Sequence, residues 1–590
     1  MDVTAPPAAP WLSVGALLSD WPGRLLAPFV PVLDRALSLR RLRELYRQAS
    51  AAGDPEGVLA RALGLLEIDY EVEAGSLDWI PRSGPVLVTA NHPFGLLEGA
   101  LVATLLPRLR PDVRILANSV LAAIPELRDL CIFADPSGAR GAVAANASAL
   151  KECLGWLARG GLLVAFPAGE VSHLRWRDGS VADGPWNPAV ARLAQRTGAA
   201  TVPFHFRGSN SLAFQMAGLI HPALRTLELP RELFNKRGRR IGIRIGRPVP
   251  PATLRAFPGA AGAIEHLCRR TDLLSRDTVE RPPAAAVHEP IADAIDPCDL
   301  ARDVAALPPA RKLCGNGGLS VWIGSAAELP HVLREIGRLR EIAFRGAGEG
   351  TGHSRDLDRF DSHYLHLFLW NDAAREVAGA YRLGPTPDIL PRFGPAGLYT
   401  STLFRFDPRL FERIGPAIEL GRSFVRPEYQ KQYAPLLLLW KGIGRYVASR
   451  PECATLFGAV SISDAYRPES RDLMVRMLER HRVAELAGLL RPRHPFRAAA
   501  ASVPAELDQL SKVVADLEPD GKGVPILLKQ YMRSGGQVLG FNLDRAFSNA
   551  LDVLMLVDLR RSDPALQARL RMGGQEAAAA RDVQVTLPAL

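Results

Sequence analysis

His92 and Glu98, six positions apart in ANHPFGLLEG (90–99), are a pair able to take a proton from a hydroxyl group. His92 ends the apolar run PVLVTA and precedes Pro93, which cannot continue a strand ladder. The imidazole therefore falls at the C-terminal end of a strand, where open α/β sheets place their ligands. Glu98, in the first turn of a following helix, can reach back to hold one ring nitrogen, which leaves the other free to accept a proton. Asp135, in CIFADPSG, is a rival for the same role. Gly95 and Gly99 allow close approach of the backbone to a substrate. A second strand-into-turn pattern, LLVAFPAGEVS, follows at 162–172.

Another charged group lies far downstream. Asp356, Asp358 and Asp361 follow a Gly-rich turn in IGRLREIAFRGAGEGTGHSRDLDRFD (336–361). Arg382 in GAYRLG, and Glu419 and Arg422 in IELGRSFV, arise from apolar strands. Charges carried on such strands are either buried at a site or paired with one another. A purely structural ion network is the alternative.

The elements that must position these groups divide the chain. Between about 75 and 250, the strand candidates PVLVTA, VRILANS, LCIFA, GLLVAF, ATVPFHF and IGIRIG alternate with helical patterns near 96–107, 142–159 and 187–197. That alternation predicts an α/β layer on a largely parallel sheet. Residues 276–318 are rich in Pro and Ala and read as a linker with one short helix. From 319 to 565 a helix over 327–345 and the strands HLFLW, EVAGAYRL, LYTSTLF, IELGRSFV and TLFGAVSIS describe a second α/β domain. Residues 566–590 read as a flexible tail. Residues 1–50 mix Trp, Leu and Phe with basic residues, and predict either helices lying on a membrane surface or helices packed across the chain's own core.

At 590 residues the chain exceeds what one core organises, in keeping with two domains of 51–275 and 319–565. A net charge of +10 favours anionic partners such as an acidic carrier protein or an anionic lipid surface. Nucleic acid is not expected, because zinc-finger spacing, RNA-binding aromatic signatures and dense Lys/Arg blocks are lacking. The six cysteines are scattered without a CxxC pair, which suits a reducing compartment and argues against a metal site. No apolar run reaches the ~18 residues that a membrane span requires.

NHPFGLLEG, FPAGEVS and TVPFHFRGSNS (201–211) resemble, in order and spacing, the blocks of the glycerolipid/lysophospholipid acyltransferases, especially their hemolysin-like bacterial branch. The resemblance implies that His92 is the general base and Glu98 its orienting carboxylate. It also implies that Asn91, Gly169, Glu170 and Arg207 bind the acceptor. Two departures matter: Leu97 stands where the family has Asp, and Ala168 and Val171 replace the Glu and the phosphate-binding Arg of its second block. A phosphate needs charge-assisted partners, so an aminolipid acceptor suits this sequence better than a lysophosphatidic acid.

The second half resembles the amino-acid N-acyltransferases that begin ornithine-lipid synthesis, and the related acyl-homoserine-lactone synthases, both on the GNAT fold. Arg340, Phe344, Asp358, Asp361, Arg382, Glu419 and Arg422 carry that resemblance. It implies that Glu419 deprotonates the amine, that Asp358 and Asp361 hold the ammonium, and that Arg382 or Arg422 binds the carboxylate or braces the acids. Where acetyl-CoA enzymes of this fold carry a Gly-rich pyrophosphate loop, this chain reads RPEYQKQYAPLLLLW. The expected donor is thus an acyl-acyl carrier protein, with no bound cofactor and no metal.

Together the two halves resemble a bifunctional ornithine-lipid synthase of a bacterial cytoplasm, peripheral to the inner face of the cell membrane. Its expected substrates are an amino acid (ornithine or similar) and the lyso-aminolipid made from it. The alternatives are a phospholipid-remodelling O-acyltransferase with a regulatory C-terminal domain, and a membrane-binding hemolysin-like protein without enzymatic activity.

Overall fold

A computed structural model describes residues 38–51, 57–135, 142–175, 179–220, 222–276, 288–430, 434–545 and 547–560. The expected interfacial helices up to residue 37 and the tail after 560 lie outside the described residues. The chain divides into two compact α/β units, one built on residues up to Val279 with Ser502–Ala505, the other on Glu280–Ala501 and the residues from Glu506 onward.

The first unit holds β1 (Asp69–Ala74), β2 (Val86–Ala90), β3 (Val113–Asn118), β4 (Cys131–Ala134), β5 (Leu162–Ala165), the two-residue strands β6 (His173–Leu174) and β7 (Val181–Ala182), β8 (Ala200–Phe206) and β9 (Arg240–Ile245). Seven of them form one sheet in the order β1-β9-β8-β2-β5-β3-β4, parallel except where β8 meets β9. The apolar runs fall in the middle of this sheet because a strand covered on both faces must be apolar throughout. β2 is buried at every residue. β1, absent from the sequence expectation, sits at the edge with alternating exposure, and its polar DYEVEA text hid it. The core joins Val86, Val88 and Ala90 to Leu97 and Leu101 of the next helix and to Phe204, Phe206 and Ile243.

The second unit holds β10 (Lys312–Asn316), β11 (Leu319–Ser325), β12 (Leu365–Asn371), β13 (Glu376–Pro385), β14 (Phe404–Phe406), β15 (Ala417–Val425), β16 (Thr455–Ile462), β17 (Leu490–Pro492), β18 (Gln537–Asp544) and β19 (Ala550–Asp558). Eight form a sheet in the order β10-β11-β12-β13-β15-β16-β19-β18, and β14 pairs with β17. β15 and β16 are parallel and pair only over Ala417–Glu419 against Thr455–Phe457. Past Glu419 the ladder between these two strands ends.

The short helix expected within 276–318 is Pro297–Ala306, capped by Asp296; it buries Leu300 and Val304 in a core cluster with Leu307, Ile336 and Phe368, and β10 follows it. Its Pro at the first helical turn starts a helix and does not break one. One expectation is corrected here. LYTSTLF is not a strand. Tyr399–Thr402 is a single 3₁₀ turn, because Glu419 accepts the Tyr399 and Thr400 N–H groups that a strand would have given to a neighbour. Among the described residues, no helix is long and apolar enough to cross a membrane.

Candidate functional sites

In the first unit, β2 delivers His92 to a turn closed by Gly95 at φ +91°. A Cβ at Gly95 would lie 2.7 Å from a Leu229 methyl and 3.0 Å from Val171, so the turn admits only glycine. The helix Leu97–Leu105 starts at once and carries Glu98, wholly buried, in its first turn. Glu98 Oε1 lies 2.8 Å from His92 Nδ1 and accepts the N–H groups of Phe94 and Gly95, each at 3.0 Å. Burial pushes the Glu98 carboxyl up, but the His92 charge, its hydrogen bond and the Gly95 N–H outweigh it, so the group titrates below its usual range. Asp135 is tied by its main chain to Asn146 at the end of β4, and Glu98 is the carboxylate on the ring.

The second motif block meets the first directly. Phe166, at the end of β5, stacks on the His92 ring with centroids 4.5 Å apart. Ser172 N–H donates to the His92 carbonyl at 2.9 Å. Asp183, a residue the sequence reading passed over, accepts from His92 N–H at 3.1 Å, Ser172 Oγ at 2.5 Å and Trp186 Nε1 at 2.9 Å. One carboxylate thus fixes the backbone of His92 against the loop after β5. The ring stays 17% exposed, with its Nε2 edge turned from Glu98 and available to a hydroxyl.

The acceptor-binding residues expected around it have other occupations. The Asn91 side-chain amide is used at both ends: it donates to the Phe206 carbonyl at 2.9 Å and accepts Phe206 N–H at 2.7 Å, clasping β2 to β8. Arg207 reaches away from β2 to Glu73 on β1, at 3.4 Å. Gly169 makes its turn with φ +68°, and Glu170 pairs with Arg225 at 3.2 Å.

In the second unit Arg340, Arg382 and Asp361 are buried together. Arg340 NH1 donates to Asp361 Oδ1 at 2.8 Å, and Arg382 NH1 donates to Asp358 at 2.7 Å and to Asp361 at 3.2 Å. Asp358 and Asp361 also close a capping box on their own 3₁₀ turn, Arg359–Ser362. Burial raises the Asp361 carboxyl, but the charges of Arg340 and Arg382 hold it far below the usual range. Asp361 is thus committed to the two arginines, while Asp358 takes Arg382 NH1 on Oδ1 and has Arg422 NH2 3.8 Å from Oδ2. Asp356, 3.3 Å from Arg422 Nε, is pushed up by burial against the pull of the arginines.

Arg422 enters the left-handed region at φ +49°, a conformation that costs energy outside glycine. Its guanidinium carbon stands 4.8 Å from the Tyr399 ring centre, 5.0 Å from that of Phe547 and 5.9 Å from that of Phe344. Glu419 is buried at the fork where β15 leaves β16. Its oxygens accept Tyr364 OH, Tyr399 N–H at 3.1 Å and Thr400 N–H at 2.7 Å. Burial is the largest influence on its carboxyl and raises it despite those donors. Tyr364, whose hydroxyl donates to Glu419, is a partner the sequence did not reveal.

Residues 60–279 match the family model described as "Acyltransferase", and residues 339–440 match the "Acetyltransferase (GNAT) domain". The chain is 41% identical over 183 residues to a glycine N(alpha)-acyltransferase of Bacteroides thetaiotaomicron, covering 29% of this chain and 54% of that protein. It is 31% identical over 240 residues to the L-ornithine N(alpha)-acyltransferase of Rhodobacter capsulatus, covering 38% of this chain and 85% of that protein. It is 26% identical over 190 residues to the lyso-glycine lipid O-acyltransferase of Bacteroides thetaiotaomicron, covering 31% of this chain and 67% of that protein. The chain spans about half the length of the glycine N(alpha)-acyltransferases it matches, 54% and 53%.

Proposed function

The chain belongs to the family of L-ornithine N(alpha)-acyltransferases, and from that premise we propose that its two acyltransferase units act in sequence to build a two-chain aminolipid. The second unit transfers a 3-hydroxyacyl group from acyl carrier protein to the α-amine of an amino acid. The first unit then transfers a second acyl group to the 3-hydroxyl of that product. The reading is carried by the His92–Glu98 contact at 2.8 Å, a hydroxyl-activating pair in a chain whose other half matches amine acylators.

For the O-acyl step, Glu98 holds His92 Nδ1 and leaves Nε2 to the substrate hydroxyl. As the hydroxyl oxygen attacks the thioester carbonyl, Nε2 takes its proton and later returns it to the leaving thiolate. The buried Glu98 charge stabilises the imidazolium between those two transfers. For the N-acyl step, the stretch beyond Glu419, where the β15–β16 ladder has ended, is where the donor's thioester arm would lie, its amides pairing like an added strand. As the amine attacks the thioester carbonyl, Tyr364 OH passes its proton to Glu419 and takes one from the amine, a transfer the raised Glu419 carboxyl favours; when the C–S bond breaks, the same path returns the proton to the leaving thiolate. The positive net charge suits an acidic carrier protein and an anionic membrane surface on the cytoplasmic side.

The test is reconstitution of the full chain with an amino acid and 3-hydroxyacyl-acyl carrier protein, followed by a second acyl-acyl carrier protein. A single-chain amide should form first and the ester second. Turnover with coenzyme A thioesters alone would overturn the donor assignment, and formation of an ester without any amide would overturn the sequence of steps.

A further inference from the structure

Asp358 and Asp361 spend their carboxylates on Arg340, Arg382 and their own turn. Two other carboxyls of the second unit are in the opposite condition. Asp552, on β19, is 6% exposed, and its Oδ2 has no hydrogen-bond partner among the described residues. Glu349, 7% exposed, accepts Ser461 Oγ at 2.7 Å. Ser461 is the cross-strand partner of Asp552, and directly opposed residues of an antiparallel pair point to the same face with Cβ atoms ~5 Å apart. Both carboxyls therefore flank one hydroxyl.

That face is the one on which Glu419 stands. Alternation along β19 sets Asp552 with Leu554 and Leu556, and alternation along β16 sets Ser461 with Phe457. Leu554, Leu556 and Phe457 share a core cluster with Tyr364, the residue that donates to Glu419, and Phe457 pairs directly with Glu419 in the sheet. Arg422, whose charge both acids feel, is already engaged by Asp356 at 3.3 Å. Burial, then the charges of Asp544 and Glu349, push the Asp552 carboxyl well above its usual range, and burial raises Glu349. Two buried acids without a cation of their own are costly unless a partner arrives.

We propose that Asp552 and Glu349, with Ser461 between them, form the ammonium site of the second unit and receive an alkylammonium group of the acceptor amino acid. This rests on the N-acyltransferase reading. An ammonium brings three donors and the charge that the pair lacks. The same chemistry has two sources, the α-ammonium of any amino acid or the side-chain ammonium of a basic one.

Glycine, norvaline and ornithine separate them. Norvaline keeps the carbon chain of ornithine without its terminal amine. Calorimetric affinity without donor and steady-state N-acylation are measured on the full chain and on its Asp552→Asn and Glu349→Gln variants. Losing a charge-assisted bond in a buried site should weaken binding by about 10–100-fold. Equal weakening for all three amino acids assigns the α-ammonium, and weakening confined to ornithine assigns the side chain. Melting temperatures should not fall in Asp552→Asn, whereas a purely structural acid would lower them on removal. Wild-type affinity for all three amino acids in both variants overturns the site, as does a wild-type chain that binds none of them. Ornithine binding that is lost in Asp552→Asn, in a chain that acylates no amine, would uphold the site and overturn the N-acyltransferase reading.

Discussion

Replacing Asp183 by Asn should damage the first unit more than its place in a Pro-rich loop suggests. Asp183 accepts three donors: His92 N–H and Ser172 Oγ on Oδ1, and Trp186 Nε1 on Oδ2. An amide keeps one accepting oxygen, so the contacts to His92 and Ser172 survive without charge assistance. The new NH₂ then faces the indole N–H, donor against donor, at a residue only 9% exposed. An unmet buried donor costs about 1–3 kcal/mol, and weakening two charge-assisted bonds brings the total to roughly 2–4 kcal/mol. For a unit of this size that is a fall in melting temperature of roughly 5–12 °C. The His92 backbone also loses its anchor, and a misplacement of ~1 Å costs ~10²-fold in rate. Thermal unfolding of the full chain and O-acylation by the same preparation check both effects. A variant melting within 2 °C of the parent (about the shift of 1 kcal/mol) and acylating within twofold of it would refute the reasoning.

Three further outcomes follow from the same contacts. Glu98→Gln keeps an acceptor for the Phe94 and Gly95 N–H groups but removes the charge beside His92, and should lower the rate of O-acylation by about 10²–10⁴-fold, measured as kcat across pH. Arg382→Met strands the buried Asp361 with one of its two arginines and should cost about 3–5 kcal/mol in urea unfolding, with partial recovery when Asp361→Asn is added. Because the folded pKa of Asp361 is depressed, its contribution is fully present above the unfolded carboxylate value and is lost as pH falls below it. Unfolding free energies from pH 7 to 3 (a span bracketing ordinary carboxylate pKa values) should therefore decline less steeply in Asp361→Asn than in the parent.

The parts of this molecule written in local periodicity were legible. The strand into His92, the helix bearing Glu98 and the apolar strands under Arg382 and Glu419 all announced themselves by runs of buried residues bounded by turns. What local text could not carry was pairing across long separations. For Asp358 and Asp361 the sequence left a substrate site and an ion network both open, because which arginine meets which acid is decided only by the fold. Asp183 lay in VADGPWNP, with no periodic signal beyond a Trp three residues away. The short helix expected in the Pro/Ala-rich stretch could not be placed or seen to pack into a core, although Leu300, Val304 and Leu307 keep the spacing of a buried helical stripe.

The most direct test of the central claim is mass spectrometry of lipids from a host without aminolipids that expresses the full chain, its His92→Ala variant or its Glu419→Ala variant. The parent should yield a two-chain amino-acid lipid, His92→Ala should accumulate the single-chain amide, and Glu419→Ala should yield neither. Two-chain lipid from either variant would contradict the assignment of one transfer to each unit.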